Sequence, residues 1–360
     1  MADFSIDIFK KTISNTKNSL VSPLSIMLAL AMAANGADGE TRSQMENVLG
    51  GDISLSDLNE YLYSYVSGLP SLQKSKLDIA NSIWFRDTGS LMIVPDFLKI
   101  TTEYYKASVH GAAFDSQTAD DINDWVNLNT DGMIEKIIER ISDEAVMILL
   151  NAIAFDAEWF SGYEPNDVRK RDFTNYDKTI SNIDFMHSTE TLYLEDSSAT
   201  GFIKPYLYSH YSFVALLPKP EINIHDYIAT LTGETFINII KIAQLIEVRA
   251  SMPKFEFRYS IEINQVLKEL GMQLAFSSAA NFSKMAYSTA GNIYISQVLH
   301  STYISVDEIG TRAAAVTMVT LENRSATPQF RVVHLDRPYV FAIIDNKTNI
   351  PVFIGVILSM

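Results

Sequence analysis

Apolar residues in the first third of the chain mostly recur at helical spacing. Positions 4–13 place their apolar residues on one side of a predicted helix and two lysines on the other. Ser22 and Pro23 are favourable residues for starting the next helix, which Gly36 ends. Further helices are predicted at 40–49, 57–66, 95–105 and 119–126, and a later helix contains 266–270.

Strand-like stretches are more frequent in the second half. Positions 145–155 are nearly all apolar, as expected of a central strand that is buried on both faces. Further strands are predicted at 76–85, 179–186, 191–194, 212–217, 245–253 and 332–353, the last of them broken at Asp345 and Asn346. No sequence repeat and no Pro/Gly/Ser-rich linker divides the chain. We therefore expect one α+β domain over residues 1–360.

The stretch 306–341 fits neither pattern. Positions 310–320 are a run of small and β-branched residues, and the polar segment 321–328 follows. Loops usually carry more turn residues than this run, and Gly and Ala pack poorly in a settled strand. This composition is what a segment would need if it forms an exposed loop but can also be accepted into a sheet.

Charge and composition exclude several partners. The 360 residues are 47% hydrophobic and 20% charged, with 28 Lys and Arg against 43 Asp and Glu, so the formal net charge is −15. Nucleic acid and an anionic membrane surface are therefore not expected as partners, because both require clustered basic residues. No basic patch indicates a polyanionic cofactor, and we expect no cofactor at all.

The chain lacks the residue patterns of the common catalytic and metal sites. It has no cysteine, which excludes disulfides, thiolate catalysis and cysteine-ligated zinc. The six histidines show no metal-binding spacing, and no nucleophile elbow, P-loop or dinucleotide fingerprint is present. We therefore expect a protein that is not an enzyme.

One apolar stretch, 24–34, has the length of a signal-peptide core. It follows 23 residues that include Asp3, Asp7 and Pro23 and lacks a compact basic start, which favours a buried helix. The expected compartment is cytoplasmic, or secreted if a signal peptide has been removed.

The segment GTRAAAVT, which begins at Gly310 two residues after Glu308, resembles the reactive-loop hinge of the serpins, a superfamily of protease inhibitors. Other blocks similar to serpin sequences follow in the family's order: SPLSI at Ser22, ANGADGET at Ala34, NDWVNLNTDGMI at Asn123, LNAIAFDAEW at Leu150, MPKFEF at Met252, LKELGM at Leu267, IYISQVLH at Ile293 and RPYVFAI at Arg337. The resemblance implies three β-sheets, with a large central sheet A, about nine helices, and an exposed reactive-centre loop at about 308–330. It also implies a monomer.

The resemblance further implies a reactive bond. Counted from Gly310 as the first residue, the fifteenth is Arg324, so the bond offered to a protease would be Arg324–Ser325. The protease would form an acyl-enzyme at Arg324 and be trapped when the cut loop enters sheet A. An arginine at this position favours a trypsin-like serine protease, whose acidic pocket pairs with guanidinium. An Arg-specific cysteine protease remains an alternative target.

The resemblance assigns three groups of residues to loop insertion. The hinge comprises Glu308, Gly310, Thr311, Ala313, Ala314 and Ala315. The polar cluster beneath sheet A, called the shutter, comprises Ser22, Ser25, Asn151 and His300. Trp159 marks the breach, where the loop first enters the sheet.

Alternation along the loop agrees with insertion. If Thr311 faces inward, Ala313, Ala315, Thr317, Val319 and Leu321 also face inward, and all are small or apolar. Arg312 then lies on the wetter face.

Three positions depart from the family pattern. Ile309 stands where a charged residue is usual, Arg312 where Glu is usual, and Asp156–Ala157 where Lys-Gly is usual. Two other classes of function remain open. A non-inhibitory serpin (a carrier, storage or chaperone-like protein) would typically have bulky or charged inward hinge residues, and a hydrolase would need a nucleophile motif.

Overall fold

The structure is a computed structural model that describes residues 1–51, 53–70, 72, 74–89, 91–289, 291–311 and 330–360. These residues form nine α-helices and three β-sheets. The helices are α1 (Ala2–Thr12), α2 (Pro23–Ala34), α3 (Gly39–Leu49), α4 (Leu55–Ser67), α5 (Pro95–Tyr105), α6 (Ser116–Asn129), α7 (Ile224–Thr230), α8 (Gly233–Lys241) and α9 (Asn264–Leu270). The predicted α+β fold with three sheets and about nine helices is confirmed.

The strands are β1 (Ser19–Val21), β2 (Ser75–Arg86), β3 (Leu91–Ile93), β4 (Ser108–Ala112), β5 (Met147–Glu158), β6 (Val168–Thr174), β7 (Ile180–Glu195), β8 (Ala199–Pro205), β9 (Tyr211–Pro218), β10 (Gln244–Pro253), β11 (Phe255–Glu262), β12 (Ala286–Ser288), β13 (Gln297–Val306), β14 (Gly310–Thr311), β15 (Phe330–His334), β16 (Tyr339–Asp345) and β17 (Pro351–Ile357). The strands predicted at 179–186 and 191–194 are one continuous strand, β7, because Ser188, Thr189 and Glu190 pair with β10 without a turn.

The nine-stranded sheet has the order β1-β17-β16-β9-β8-β7-β10-β15, and β6 also pairs with β7. The six-stranded sheet has the order β11-β13-β5-β2-β4, and β14 also pairs with β5. β3 and β12 form the two-stranded sheet. The residues predicted for the shutter and the breach lie in and around the six-stranded sheet.

Helix α2 lies in the core and positions one end of the shutter. Ser22 is its N-cap, and its side chain accepts a hydrogen bond from the Ser25 backbone N–H, while Pro23 supplies a preset first helical residue. All twelve of its residues are buried, which confirms the prediction of a buried helix at 24–34. Among the helices of the described segments, none combines the length and apolarity needed to cross a bilayer.

Candidate hinge and shutter site

Two parallel strands, β5 and β13, lie side by side in the middle of the six-stranded sheet. Their registered pairs run from Ile148–Gln297 to Ala154–Tyr303. Beyond Ala154, β5 continues for four residues to Glu158 and remains paired with β2 on its other edge as far as Ala157. β5 therefore pairs with β13 from Ile148 to Ala154, whereas its last four residues, 155–158, extend beyond this ladder.

The upper end of that β5 edge is occupied by β14. Gly310 pairs antiparallel with Glu158, and Thr311 pairs with Ala157. A Cβ atom on Gly310 would lie 2.1 Å from the Ala157 carbonyl oxygen, so only glycine allows this close approach. The first residues after β13 thus turn back and begin an antiparallel strand against β5.

Backbone hydrogen bonds hold the turn that leads into β14. The Trp159 N–H donates to the Ile309 carbonyl at 2.8 Å, and the Tyr163 N–H donates to the Glu308 carbonyl at 2.9 Å. The Asp307 carboxylate accepts the N–H groups of Ile309 at 2.9 Å and Gly310 at 3.2 Å. Ile309 therefore contributes to the turn through its backbone, which accommodates the unusual apolar residue at this position.

A salt bridge fixes the start of the hinge to the neighbouring sheet. The Lys254 ammonium, which directly follows β10, pairs with the Glu308 carboxylate, and both side chains are about one-third exposed. Ion pairs at such exposure are screened by solvent and contribute modestly to stability. The pair ties the hinge to the chain between β10 and β11.

Trp159 lies directly under the hinge. Its indole N–H donates to the Asp307 carbonyl at 2.9 Å, and its ring stacks on Tyr206 at 4.4 Å with an interplanar angle of 14°. The Tyr206 hydroxyl lies 2.8 Å from the Thr311 hydroxyl. Tyr206 therefore joins Trp159, the residue predicted for the breach, to Thr311, a residue predicted for the hinge.

A buried ion pair supports this aromatic stack. The Lys204 ammonium lies 2.9 Å from a Glu190 carboxylate oxygen, and their side chains are only 2% and 8% exposed. The same ammonium donates to the Ser161 carbonyl at 2.9 Å and lies 4.5 Å from the Tyr163 ring centroid. It therefore holds the segment that carries the hinge-binding N–H of Tyr163.

The residues predicted for the shutter meet in one buried hydrogen-bond cluster. Asn151 and His300 are paired residues of β5 and β13, and the His300 Nδ1–H donates to the Asn151 Oδ1 at 2.6 Å. The Asn151 amide donates to the Ser25 carbonyl at 2.7 Å and to the Asn81 Oδ1 at 2.6 Å. The Ser22 N–H donates to the His300 Nε2 at 3.0 Å. The cluster joins α2 to three neighbouring strands, β2, β5 and β13.

These contacts require a neutral imidazole. Nε2 accepts a hydrogen bond and Nδ1 donates one, so the ring carries a single proton on Nδ1. His300 is fully buried, and this burial lowers its pKa from 6.5 to about 3.

Some predicted site residues fall outside the described part of the chain. These are Ala313, Ala314, Ala315, Arg324 and Ser325. Within the described part, sequence reasoning missed Asn81, Lys204, Tyr206, Lys254 and Asp307. A polar residue among the apolar positions of the predicted strand 76–85 was the available signal for Asn81, whereas the other four carry no local signal.

The comparisons with known proteins agree with this geometry. The sequence model of the family Serpin (serine protease inhibitor) matches residues 1–360. The chain therefore belongs to the serpin family, whose members are generally protease inhibitors rather than enzymes.

Among characterised folds, tengpin, a thermophilic serpin, is similar in its native state, with 54% identity and a TM-score of 0.95 over 100% of this chain and 93% of that chain. Tengpin in its latent state superposes with a TM-score of 0.89 at 52% identity, over 100% of this chain and 96% of that chain. Human serpin B8 is 30% identical, covering 98% of this chain and 96% of that protein. The fold described above is thus more similar to the native than to the latent arrangement.

Proposed function

We propose that this serpin is an inhibitory suicide substrate. A protease cleaves Arg324–Ser325 and forms an acyl-enzyme with the Arg324 carbonyl, while the new amino terminus at Ser325 leaves. The freed loop then enters the six-stranded sheet between β13 and β5 as an antiparallel strand. One copy of the chain suffices for this mechanism, so we propose that it acts as a monomer.

The observation that supports this proposal best is the register of β14 on β5. Gly310 and Thr311 already pair with Glu158 and Ala157. From Ala154 back to Ile148, the same edge of β5 pairs with β13. Cleavage would let the strand begun at Gly310 continue along β5 as β13 moves aside.

Continuing this register gives specific partners. Thr317 would lie opposite Asn151, and Arg324 would lie opposite Glu144, beyond the start of β5 at Met147. Insertion must therefore break the Asn151–His300 hydrogen bond, which gives the shutter cluster a role in controlling the rate. Fifteen residues at about 3.3 Å each span roughly 50 Å, enough to carry a protease attached at Arg324 across a domain of this size.

Insertion is favourable because it adds one strand to the sheet. The ladder between β5 and β13 is lost, and the inserted loop forms one ladder with β5 and another with β13. The sheet therefore gains one ladder of hydrogen bonds. At about 0.5–1.5 kcal/mol net for each bond, a dozen bonds contribute on the order of 10 kcal/mol. This gain in free energy is comparable to the stability of a typical domain. Because the inserted form is more stable by that amount, only a kinetic barrier keeps the loop of the uncut chain outside the sheet.

Arg324 supports an Arg-specific target. Its guanidinium can pair bidentately with a carboxylate at the base of a protease pocket. A trypsin-like serine protease fits this chemistry, and an Arg-specific cysteine protease is the second target class that shares it.

Incubation with trypsin followed by denaturing gel electrophoresis tests the proposal. We expect an SDS-stable complex of inhibitor and protease and loss of trypsin activity. Clean cleavage with full trypsin activity would instead indicate a non-inhibitory serpin. Arg324→Leu is the matched variant, expected to lose the trypsin complex and to form one with chymotrypsin.

A second measurement does not depend on the choice of protease. The chain nicked in the reactive loop by a protease that it does not trap should unfold at a much higher temperature than the uncut chain. Equal melting temperatures for the two forms would rule out loop insertion.

A further inference from the structure

Two histidines flank one serine across three adjacent strands. Ser251 on β10 is the registered partner of His187 on β7 and of His334 on β15. Paired residues of neighbouring strands project to the same side of a sheet. The Ser251 hydroxyl lies 2.7 Å from the His334 Nδ1. His187, Ser251 and His334 thus form a short polar row at the edge of the nine-stranded sheet.

Two arginines on β6 face the same side. Arg169 and Arg171 pair with Phe185 and Ile183 of β7, which alternate in phase with His187. The Arg171 guanidinium lies over the Phe185 ring at 5.9 Å from its centroid and therefore extends along β7 towards His187. Within the described segments, neither arginine forms an ion pair, whereas Lys170, between them on the opposite face, pairs with Asp184 at 3.2 Å.

The carboxylates that face this row are already engaged. Asp167, which precedes β6, accepts a hydrogen bond from the Glu164 N–H at 2.9 Å. Asp336, which follows β15, pairs with Arg337 at 3.1 Å. β10 has two charged residues in phase with Ser251, Glu247 and Arg249, and these lie 3.6 Å apart. The Arg249 guanidinium also lies over the Phe330 ring. Around the row, the arginines outnumber the carboxylates by one, so the local charge is positive in a chain whose net charge is −15; the arginines are Arg169, Arg171, Arg249 and Arg337, and the carboxylates are those of Asp167, Glu247 and Asp336.

The histidines have unused hydrogen-bonding capacity. The His187 Nε2 atom is buried and has no hydrogen-bond partner among the described residues, and buried polar atoms are normally paired. Burial lowers the pKa of both His187 and His334, and the nearby Arg171 charge lowers both further. An anion bound among these groups would raise the pKa of both histidines, because its negative charge favours the protonated rings.

We propose that Arg171, His187 and His334 form a binding site for a tetrahedral oxyanion, such as sulfate or phosphate. Arg171 supplies paired N–H donors, and each imidazole supplies one further donor. Arg169 adds positive charge at the entrance of the site. The ligand is either the free ion or the same group carried as an ester on an organic molecule.

The position of the site connects it to the reactive loop. β15 is an edge strand that pairs only with β10 within the described residues, and it directly follows the loop in sequence. An anion shared by β6, β7 and β15 would strengthen the attachment of β15 to the sheet. Oxyanion binding does not depend on protease inhibition, so the two proposals can fail separately.

Isothermal titration with sodium sulfate against sodium chloride at matched ionic strength tests the site. Sulfate keeps two negative charges from pH 6 to 8, so any pH dependence comes from the protein. We expect binding of sulfate but not of chloride, with affinity about fivefold or more higher at pH 6 than at pH 8 because binding and histidine protonation are coupled. Equal affinity at both pH values would overturn the assignment of the histidines.

Variants locate the site. Arg171→Ala should weaken sulfate binding about tenfold or more, as expected for loss of a charge-assisted hydrogen bond. Lys170→Ala, its neighbour on the opposite face, should bind as the unmodified chain does. Equal losses in the two variants would mean non-specific charge attraction and would overturn the proposal.

A measurement on the unmodified chain avoids any effect of substitution on folding. Histidine ring proton signals, titrated by NMR in sulfate and in chloride, should show two histidines whose pKa is raised by sulfate. Sulfate without effect on any histidine pKa would contradict the site. A parallel titration with glucose 6-sulfate distinguishes the free ion from an ester as the ligand. Binding as tight as that of inorganic sulfate would assign the site to esters. Absence of ester binding would assign it to the free ion.

Discussion

The hydroxyl groups of Thr311 and Tyr206 lie 2.8 Å apart. Thr311 is 1% exposed, and the Tyr206 ring that holds it stacks on Trp159. Thr311, the last residue of the described segment 291–311, is therefore packed into the core rather than left at the surface. Its side chain faces inward, which is the condition under which the alternation assigns Ala313 and Ala315 to inward positions.

Thr311→Arg should convert an inhibitor into a substrate. A guanidinium at this buried position would lie unpaired against the Tyr206 and Trp159 rings, and burying an unpaired charge is costly. We expect cleavage at Arg324 with little or no trapped trypsin, measured as the moles of inhibitor consumed per mole of protease inactivated. Thr311→Ser, which keeps the hydroxyl, should trap trypsin normally; normal trapping by the Arg variant would show that insertion does not start here.

Asp156 and Arg312 should act as a pair after insertion. Continuing the β14 register by one residue places position 312 opposite Asp156, and oppositely charged residues in that relation contribute roughly 0.2–1 kcal/mol. The two departures from the family pattern would thus compensate each other. Asp156→Lys should slow trapping by placing like charges opposite each other, and Asp156→Lys combined with Arg312→Glu should restore it. The measurement is the second-order rate of trypsin inactivation, and a double variant no faster than the single one would reject the pairing.

The Lys204–Glu190 ion pair should be needed for stability of the uncut chain. Lys204→Met removes the cation from a Glu190 side chain that is 8% exposed, and a buried charge without its partner costs about 3 kcal/mol. We expect a lower urea midpoint and weaker protection from hydrogen exchange at the Tyr163 amide, which binds the hinge. Lys204→Met with Glu190→Gln should recover most of the midpoint; an unchanged midpoint in the single variant would exclude a structural role for the pair.

His300 should make the uncut protein sensitive to acid. Its pKa is lowered from 6.5 to about 3 by burial, so below pH 6.5 the unfolded chain binds a proton that the folded chain does not. The free energy of unfolding should therefore be highest above pH 6.5. The contribution of His300 to the free energy of unfolding decreases by about 1.4 kcal/mol per pH unit as the pH falls from 6.5 towards 3.

His300→Gln isolates this contribution. The variant loses hydrogen bonds at every pH, but its unfolding free energy should depend less steeply on pH between 6.5 and 4 than that of the unmodified chain. Parallel pH profiles for the two chains would show that His300 protonation does not limit stability.

Sequence reasoning predicted the α+β class, the buried helix at 24–34 and the central strand β5, because each has a strong local pattern. It also predicted the family, because motifs such as GTRAAAVT and LNAIAFDAEW occur in the family's order. Boundaries were less accurate, as with α6, which extends over Ser116–Asn129 where 119–126 was expected. The helices α7 and α8 were missed, although α8 begins with a capping box at Thr232.

The sequence by itself determined which side chains of the loop are small, and that Ser22, Asn151 and His300 are polar residues among apolar neighbours. The reactive bond at Arg324–Ser325 remains a prediction from the family resemblance. Only the tertiary structure decided which groups those residues meet. The partners of Asn151 come from β2, β13 and α2, and Lys204 on β8 pairs with Glu190 on the neighbouring strand β7. Hydrogen bonds and ion pairs between segments far apart in the chain depend on strand order and register, which local hydrophobic periodicity does not encode.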